Sequence, residues 1–85
     1  MGELSKVINI GKIAEKQLNK AGVQTLAELK NMGSKKAWLK IRAVDSSACY
    51  SKLCALEGAI QGIRWHDLPD KYKNELKEFY NSITK

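Results

Sequence analysis

The stretch that most constrains the fold runs from Val7 to Thr25, where an apolar lead-in, a short break and an amphipathic run follow one another. Asn9 and Gly11 tolerate a left-handed backbone, so the chain can turn sharply there and begin a helix within one or two residues. Gly22 is placed to end that helix as a left-handed cap. The apolar residues of the run recur three and four positions apart, which places them on one helix face: Ile10, Ile13, Ala14, Leu18 and Ala21.

The start of this helix is predicted to be a seat for an anion. Its first backbone N–H groups have no partner within the helix, and Gly11 has no side chain to block an approach. The pattern is similar to the helix-hairpin-helix motif, which holds a nucleic-acid phosphate on hairpin amides, and we place that motif at about residues 4–31. A helix corner that only packs is the alternative, and the pattern by itself favours neither.

The distribution of charge favours a polyanionic partner. The formal net charge is +6, and residues 1–45 contain nine basic and four acidic residues, whereas residues 46–85 contain six and five. The surplus therefore lies in the half that contains the hairpin, which is more typical of binding to a polyanion than of a diffuse solubility charge.

We predict an all-α fold, a single compact domain over residues 1–85 with five or six helices and a helix-hairpin-helix-like N-terminal half, because no two-residue apolar alternation persists. The first helix is expected at residues 3–8 and the second at Lys12–Ala21. Thr25 and Glu28 have capping-box spacing and begin a third helix that ends at Gly33. The later helices are expected at Lys35–Ala43 with Ser34 as its cap, from Asp45, Ser46 and Ser47 to about Gln61, and from Asp67 onward with Asp67 as a cap.

The fifth of these helices is apolar around most of its circumference and is predicted to be the buried centre. Gly58 would let a neighbour approach closely, and Gly62 would end the helix. The inward residues of the flanking helices are predicted to be Ala37, Trp38, Ile41 and Val44, and Tyr72, Leu76, Phe79, Tyr80 and Ile83. Both tryptophans, Trp38 and Trp65, are interpreted as core residues, with base stacking as the alternative.

Two groups of lysines include residues at helix N-termini, where the helix dipole disfavours a positive charge. Lys12, Lys16 and Lys20 fall four apart on one side of the second helix, and Lys35 and Lys36 stand at the start of the fourth. Such crowding is explained if an anion binds there, although a solvated lysine face is the alternative. The predicted nucleic-acid-binding residues are Asn9, Gly11, Lys12, Lys16, Lys20, Lys35 and Lys36.

No pattern points to an enzyme, a metal site or a cofactor. His66 lies beside Asp67, but no Ser or Cys nucleophile is visibly paired with it. Cys49 and Cys54 are five apart, too distant on a helix to bridge, and are interpreted as small buried hydrophobes in a reducing compartment. With no signal-peptide core and no apolar run near ~20 residues, we expect a cytoplasmic protein with no membrane partner and no small-molecule substrate.

Three further segments sharpen the interpretation: Trp-Leu-Lys-Ile-Arg at 38–42, Leu-Cys-Ala-Leu-Glu-Gly-Ala-Ile-Gln-Gly at 53–62, and Arg-Trp-His-Asp-Leu-Pro at 64–69. Together with Asn9-Ile-Gly11 and Gly22-Val-Gln-Thr25, they resemble the C-terminal domain of the TfoX (Sxy) family of bacterial competence regulators across residues 4–80. Asn at the hairpin is usual in that family. The resemblance implies an all-α, helix-hairpin-helix-like fold and a role in switching on DNA-uptake genes together with the cyclic-AMP receptor protein.

Two functions follow from these observations. The first is a sequence-independent DNA-phosphate contact by a non-catalytic regulatory module, since nothing in the chain resembles a base-reading helix. The second is a protein-interaction module of a transcriptional regulator with no direct DNA contact. Salt-dependent binding to random duplex DNA separates the two, because only the first requires it.

Overall fold

The computed structural model describes residues 4–45 and 48–84. These residues are helical and contain no strand, which confirms the predicted all-α class. In chain order the elements are a 3-10 turn at Leu4–Lys6, α1 at Lys12–Lys20, α2 at Leu26–Met32, α3 at Ser34–Val44, α4 at Tyr50–Gln61, a second 3-10 turn at Trp65–Asp67 and α5 at Asp70–Thr84.

The corner before α1 is formed by Asn9 and not by Gly11. Asn9 has a φ of 72°, and it is the one non-glycine residue with positive φ in the described part of the chain. Gly11 caps α1 with an extended backbone, φ −94° and ψ −174°, so the predicted left-handed role for Gly11 is wrong. The helix expected at residues 3–8 is a single 3-10 turn that ends at Lys6, while Glu3 lies outside the described residues.

The end of α1 has the predicted glycine cap. Gly22 has a φ of 90°, and its N–H donates to the carbonyl of Asn19 at 3.1 Å, while the N–H of Val23 donates to that of Leu18 at 2.8 Å. These two bonds form a Schellman motif, in which an apolar residue after the glycine packs back on the helix. Val23 and Leu18 are both fully buried, so the cap also anchors α1 in the core.

The start of α2 has the cap that its local sequence predicts, whereas the start of α3 does not. The predicted capping box at α2 is present, with the N–H of Glu28 donating to Oγ1 of Thr25 and the N–H of Thr25 to Oε1 of Glu28, both at 3.1 Å. At α3, however, the cap residue is Gly33. Ser34 does not cap the helix as predicted, because its buried hydroxyl instead donates to Oε1 of Glu57 at 2.6 Å.

Helix α4 occupies the centre, as predicted, and packs against α2, α3, α5 and the second 3-10 turn. It begins at Tyr50, later than the predicted start at Asp45, and Ser46 and Ser47 of that prediction lie outside the described residues. Gly62 ends it with a left-handed φ of 76°. Its buried residues are Leu53, Cys54, Leu56, Gly58 and Ala59.

The two cysteines have different environments. Both are free thiols, but Cys54 is buried whereas Cys49, at the cap position of α4, is exposed. The prediction of two buried cysteines is therefore wrong for Cys49. Burial raises the pKa of the Cys54 thiol above its ordinary value, which keeps it in the neutral form expected of a small core residue.

Aromatic side chains close the far side of the core, between α3 and α5. Trp38 is fully buried, as predicted, and packs edge-on against Phe79 and Tyr80 with ring centroids 6.0 and 5.6 Å apart. Its Nε1–H donates to the carbonyl of Cys49 at 3.1 Å, which satisfies the polar end of the indole. By contrast, Val44 is 57% exposed, so its predicted place among the inward residues of this helix is wrong.

Helix α5 contributes its predicted inward face, of which Leu76 is buried and the others are half-buried. Asp67 does not cap this helix, because it lies in the second 3-10 turn, three residues before α5 begins at Asp70. The prediction of a cap at Asp67 is wrong, and Pro69 separates the two elements.

Candidate nucleic-acid interface

Lys12, Lys16 and Lys20, which we call the lysine face, lie together on the outer side of α1. With about 100° per residue, the three side chains fall within about 80° of the helix circumference and extend over about 12 Å of its length. All three are exposed, while Leu18 on the opposite side is fully buried. They make no hydrogen bond or ion pair with any described residue. The face therefore presents three ammonium groups to solvent that form no ion pair with residues 4–45 or 48–84.

Gln17 fixes the rotation of α1 that presents this face. Its side-chain Nε2 donates to Oδ2 of Asp45 at 2.6 Å, and its Oε1 accepts from Nζ of Lys52. These bonds connect α1 to the end of α3 and to α4. Because Gln17 lies between the lysines and the buried side of the helix, the connection keeps the lysine face pointing outward.

Ile13 belongs to the exposed side of α1, and its predicted place in the apolar stripe is wrong. It is 74% exposed, whereas Ile10 and Leu18 of the same stripe are buried. The reason is angular: Ile13 lies about 120° from the centre of the buried face and next to Lys16 and Lys20 on the helix circumference. An apolar side chain therefore stands among the lysines.

The start of α1 is open to solvent. Gly11 is exposed, and a methyl group at its Cβ position would have no neighbouring atom within 4 Å. No side chain caps the helix there, and the first intrahelical bond runs from the N–H of Glu15 to the carbonyl of Gly11 at 2.9 Å. The N–H groups of the three residues before Glu15 consequently carry the positive end of the helix dipole toward solvent.

Asn9 holds this corner against the rest of the domain. Its Nδ2 donates to the carbonyl of Ile63 at 2.8 Å, and its Oδ1 accepts from the N–H of Trp65 at 3.3 Å. We call these two bonds the Asn9 clasp. Although Asn9 was predicted to contact nucleic acid, its side-chain amide is used within the protein, and its left-handed backbone shapes the corner.

Gly58 makes the Asn9 clasp possible, as the prediction of a close approach at this glycine anticipated. A methyl group there would lie 2.5 Å from Nδ2 of Asn9, 2.8 Å from the carbonyl oxygen of Ile63 and 3.1 Å from the N–H nitrogen of Trp65. Two of these three atoms are backbone, so the structure has no room for a larger residue. The family-like segments at 9–11, 53–62 and 64–69 therefore meet at the Asn9 clasp.

The clasp brings three residues beside the corner that the sequence did not predict as site residues: Arg64, Trp65 and His66. With Ile8 and Asn9 they line an open cleft of about 310 Å³, which we call the aromatic cleft. Arg64 and His66 are exposed, and Trp65 is half-buried, so Trp65 is only partly the core residue that was predicted. No local signal connects residue 9 to residue 65. The sequence would have indicated the cleft only if Asn9 had been recognised as a neighbour of Gly58.

Lys35 and Lys36, at the start of α3, both line a cleft of about 370 Å³ that also includes Glu57 and Glu75, but among the described residues only Lys35 forms an ion pair. Nζ of Lys35 forms an ion pair with Oε1 of Glu75 at 2.7 Å and lies 5.7 Å from the centre of the Phe79 ring. The hydrogen bond from Lys35, with its charge, holds the pKa of Glu75 below the ordinary value. Lys35 thus already has an anionic partner in α5.

Lys36 is exposed and lies toward the other end of α1. It also lines a cleft of about 320 Å³ together with Gly22, two residues after the end of α1, and with Glu28 of α2. The structure therefore brings Lys12, Lys16 and Lys20 onto one face, places Lys36 near its C-terminal end, and turns Lys35 toward α5.

Two other classes of site find no support in the described residues. No group of three or more His, Cys, Asp or Glu side chains in that part of the chain could hold a metal ion. Among the same residues, none of the helices combines the length and apolar character required for crossing a bilayer.

Comparison with known proteins assigns this helical domain to a family. A family model described as the TfoX C-terminal domain matches residues 1–80, and the chain belongs to that family. It is 36% identical over 67 residues to Protein Sxy of Escherichia coli (strain K12), a match that covers 79% of this chain and 32% of that protein. The chain therefore spans about a third of the length of this curated relative.

Solved structures agree with the fold. An uncharacterised protein from Listeria monocytogenes, in a triclinic crystal form, is 56% identical with a TM-score of 0.93, over 94% of this chain and 91% of that one. A tetragonal crystal form of a Listeria monocytogenes protein of unknown function gives the same identity and TM-score, over 95% and 99%.

Proposed function

We propose that this domain is a non-catalytic regulatory module that contacts DNA phosphates without reading sequence, and that it serves the transcriptional regulation of DNA uptake in the bacterial cytoplasm. Membership of the TfoX C-terminal domain family supports the regulatory part. The observation that carries the DNA part is the open start of α1, where uncapped helix amides adjoin the lysine face.

The positive charge at the start of α1 and its exposure to solvent together favour a bound phosphate. A phosphate at the start of α1 would accept hydrogen bonds from main-chain N–H groups and be attracted by Lys12, while Lys16 and Lys20 would reach further phosphates along the same strand. The exposed Lys36 extends this surface. Lys35 contributes less, because it is paired with Glu75. In this arrangement Asn9 and Gly11 form the hairpin of a helix-hairpin-helix-like motif whose first helix is reduced to one turn.

The expected affinity is modest and depends on salt. Phosphate contacts by the Gly11 corner and two or three lysines predict a log–log salt slope of about −2 to −3, with dissociation constants of about 10⁻⁴ to 10⁻⁶ M. Base-edge contacts are not required, so duplexes of different sequence should bind with similar affinity.

The test replaces two residues of the lysine face. Lys12→Glu with Lys16→Glu should abolish binding to random duplex DNA at about 0.1 M salt, because it removes two phosphate contacts and adds repulsion. The matched control is Lys71→Glu with Lys77→Glu, the same charge change at exposed positions of α5. Circular dichroism would verify that both variants fold. Equal DNA affinities for the two double variants would refute the proposed contact.

A second function is favoured by one observation, the 74% exposure of Ile13 among the lysines. An exposed apolar side chain at the edge of a basic face fits a surface that meets an acidic protein partner. In this alternative the domain has no direct DNA contact and binds a transcription factor such as the cyclic-AMP receptor protein. Ile13→Ser would then weaken partner capture, while random duplex DNA would show no binding at about 0.1 M salt.

A further inference from the structure

The aromatic cleft has the dimensions and lining of a site for one flat ring. Its volume of about 310 Å³ lies at the lower end of the range of ~300–1,000 Å³ typical of ligand clefts. Trp65 and His66 both line it, and their rings stack with centroids 3.9 Å apart and planes 28° from parallel. Because His66 is exposed, the stack is accessible from solvent and can be extended by another aromatic ring.

Three hydrogen bonds fix this platform before any ligand arrives. The Asn9 clasp holds the backbone at Ile63 and Trp65 from the α1 side. From α5, Nζ of Lys73 donates to the carbonyl of His66 at 2.8 Å. A surface loop that hydrogen bonds hold on both sides loses little conformational entropy when a ring stacks on it. This small entropy loss favours binding.

The cleft is lined by residues that immediately precede the proposed phosphate surface in the chain. Its wall includes Ile8 and Asn9, and Gly11 lies two residues further along the chain at the open start of α1. Arg64 adds an exposed guanidinium to the lining. A cation beside an aromatic platform, next to an anion seat, is the combination by which proteins hold single-stranded nucleic acid.

We propose that the aromatic cleft binds an unstacked base of single-stranded DNA, with the ring stacked on the Trp65–His66 pair and Arg64 at a neighbouring phosphate. This inference rests on the proposed phosphate contact and extends it. A duplex keeps its bases stacked inside, so it can use only the lysine face. The domain therefore prefers single-stranded over duplex DNA.

The experiment compares three probes: an oligodeoxythymidylate of about 12 nucleotides, an abasic oligomer of the same backbone and charge, and a duplex of the same length, which has about twice the number of phosphates. The wild-type domain should bind the thymidylate about 5- to 150-fold more tightly than the abasic oligomer, because base–aromatic stacking contributes about that factor for each base. The thymidylate should also quench Trp65 fluorescence. Trp65→Phe should remove the quenching and retain affinity, since Trp38 is buried and Phe can still stack.

His66→Ala and His66→Phe form the matched pair. His66 is exposed, so neither change should disturb folding. His66→Ala should lower thymidylate affinity toward that of the abasic oligomer without affecting abasic binding, and His66→Phe should restore it. Equal wild-type affinity for thymidylate and abasic oligomers would overturn this proposal and leave the phosphate contact standing. Failure to bind any of the three probes would overturn both.

Discussion

The starts of α1 and α3 look alike in sequence and differ in the folded protein. Each helix follows a glycine cap without a side-chain cap bond, and each has lysine in its first turn. At α3, carboxylates from two other helices are present, with Glu57 accepting from Ser34 and Glu75 paired with Lys35. At α1, the first turn itself contains Glu15, but no described carboxylate forms an ion pair with Lys12.

A basic helix start can therefore be an anion site only where carboxylates from elsewhere in the fold do not already pair with its lysines. The carboxylates at α3 come from positions 23 and 40 residues further along the chain. They supply, within the protein, the negative charge that the α3 dipole and Lys35 attract. We therefore expect phosphate at the start of α1 and little at the start of α3.

The largest expected effect comes from closing the space that holds the α1 corner. Gly58→Ala places a methyl group 2.5 Å from Nδ2 of Asn9 and 2.8 Å from a backbone oxygen, so the Asn9 clasp must move or break. We expect a loss of about 1–3 kcal/mol in the free energy of unfolding, although alanine is the better helix former. Urea denaturation measures the loss. Unchanged stability would show that the corner is not held in this way.

An effect of comparable size distinguishes the two cap glycines directly. Gly33 has φ 86° and ψ 155°, a conformation nearly confined to glycine, so Gly33→Ala should cost about 1–3 kcal/mol. Gly11 has an ordinary extended backbone and open space around it, so Gly11→Ala should be neutral or stabilise by up to about 1 kcal/mol. Thermal denaturation of the pair is the measurement. Similar losses at both positions would contradict the difference between the two corners.

The smallest effect is expected from Glu75→Gln at the compensated start. The ion pair with Lys35 lowers the pKa of Glu75 from its ordinary value of 4.5, so its contribution to stability is present above that pH and is lost as the pH falls through the lower, folded-state pKa. Both groups are largely solvent-accessible, so the contribution is small and screened by salt. Wild type and Glu75→Gln should differ slightly at neutral pH and converge in acid. A difference that grows in acid would contradict the assigned sign.

Local signals in the sequence were sufficient for much of the fold. The capping box at Thr25 and the glycines at positions 22 and 62 are decided by contacts within a few residues, and the structure has them as predicted. Trp38 was correctly predicted to be buried because its helical row is apolar. The lysine face follows from four-residue spacing alone.

The errors occur where distant residues decide the outcome. Serine is a residue type that often caps helices, yet the Ser34 hydroxyl donates to Glu57. No local sequence pattern indicates this contact. Ile13 has helical spacing to the core residues but lies too far around the circumference to be buried. The aromatic cleft depends on the bond between Asn9 and Ile63, residues 54 positions apart, so the sequence could not assign its residues to the site.

The most direct test of the comparison is an NMR titration of the wild-type domain with a short random duplex at low salt. The amide signals of Gly11, Lys12 and Ile13 are expected to shift with added DNA, and so are the amide signals of the other residues of the lysine face. The amide signals of Ser34 and Lys35 should stay in place. Shifts at the start of α3 with none at the start of α1, or no shifts at either, would contradict this expectation.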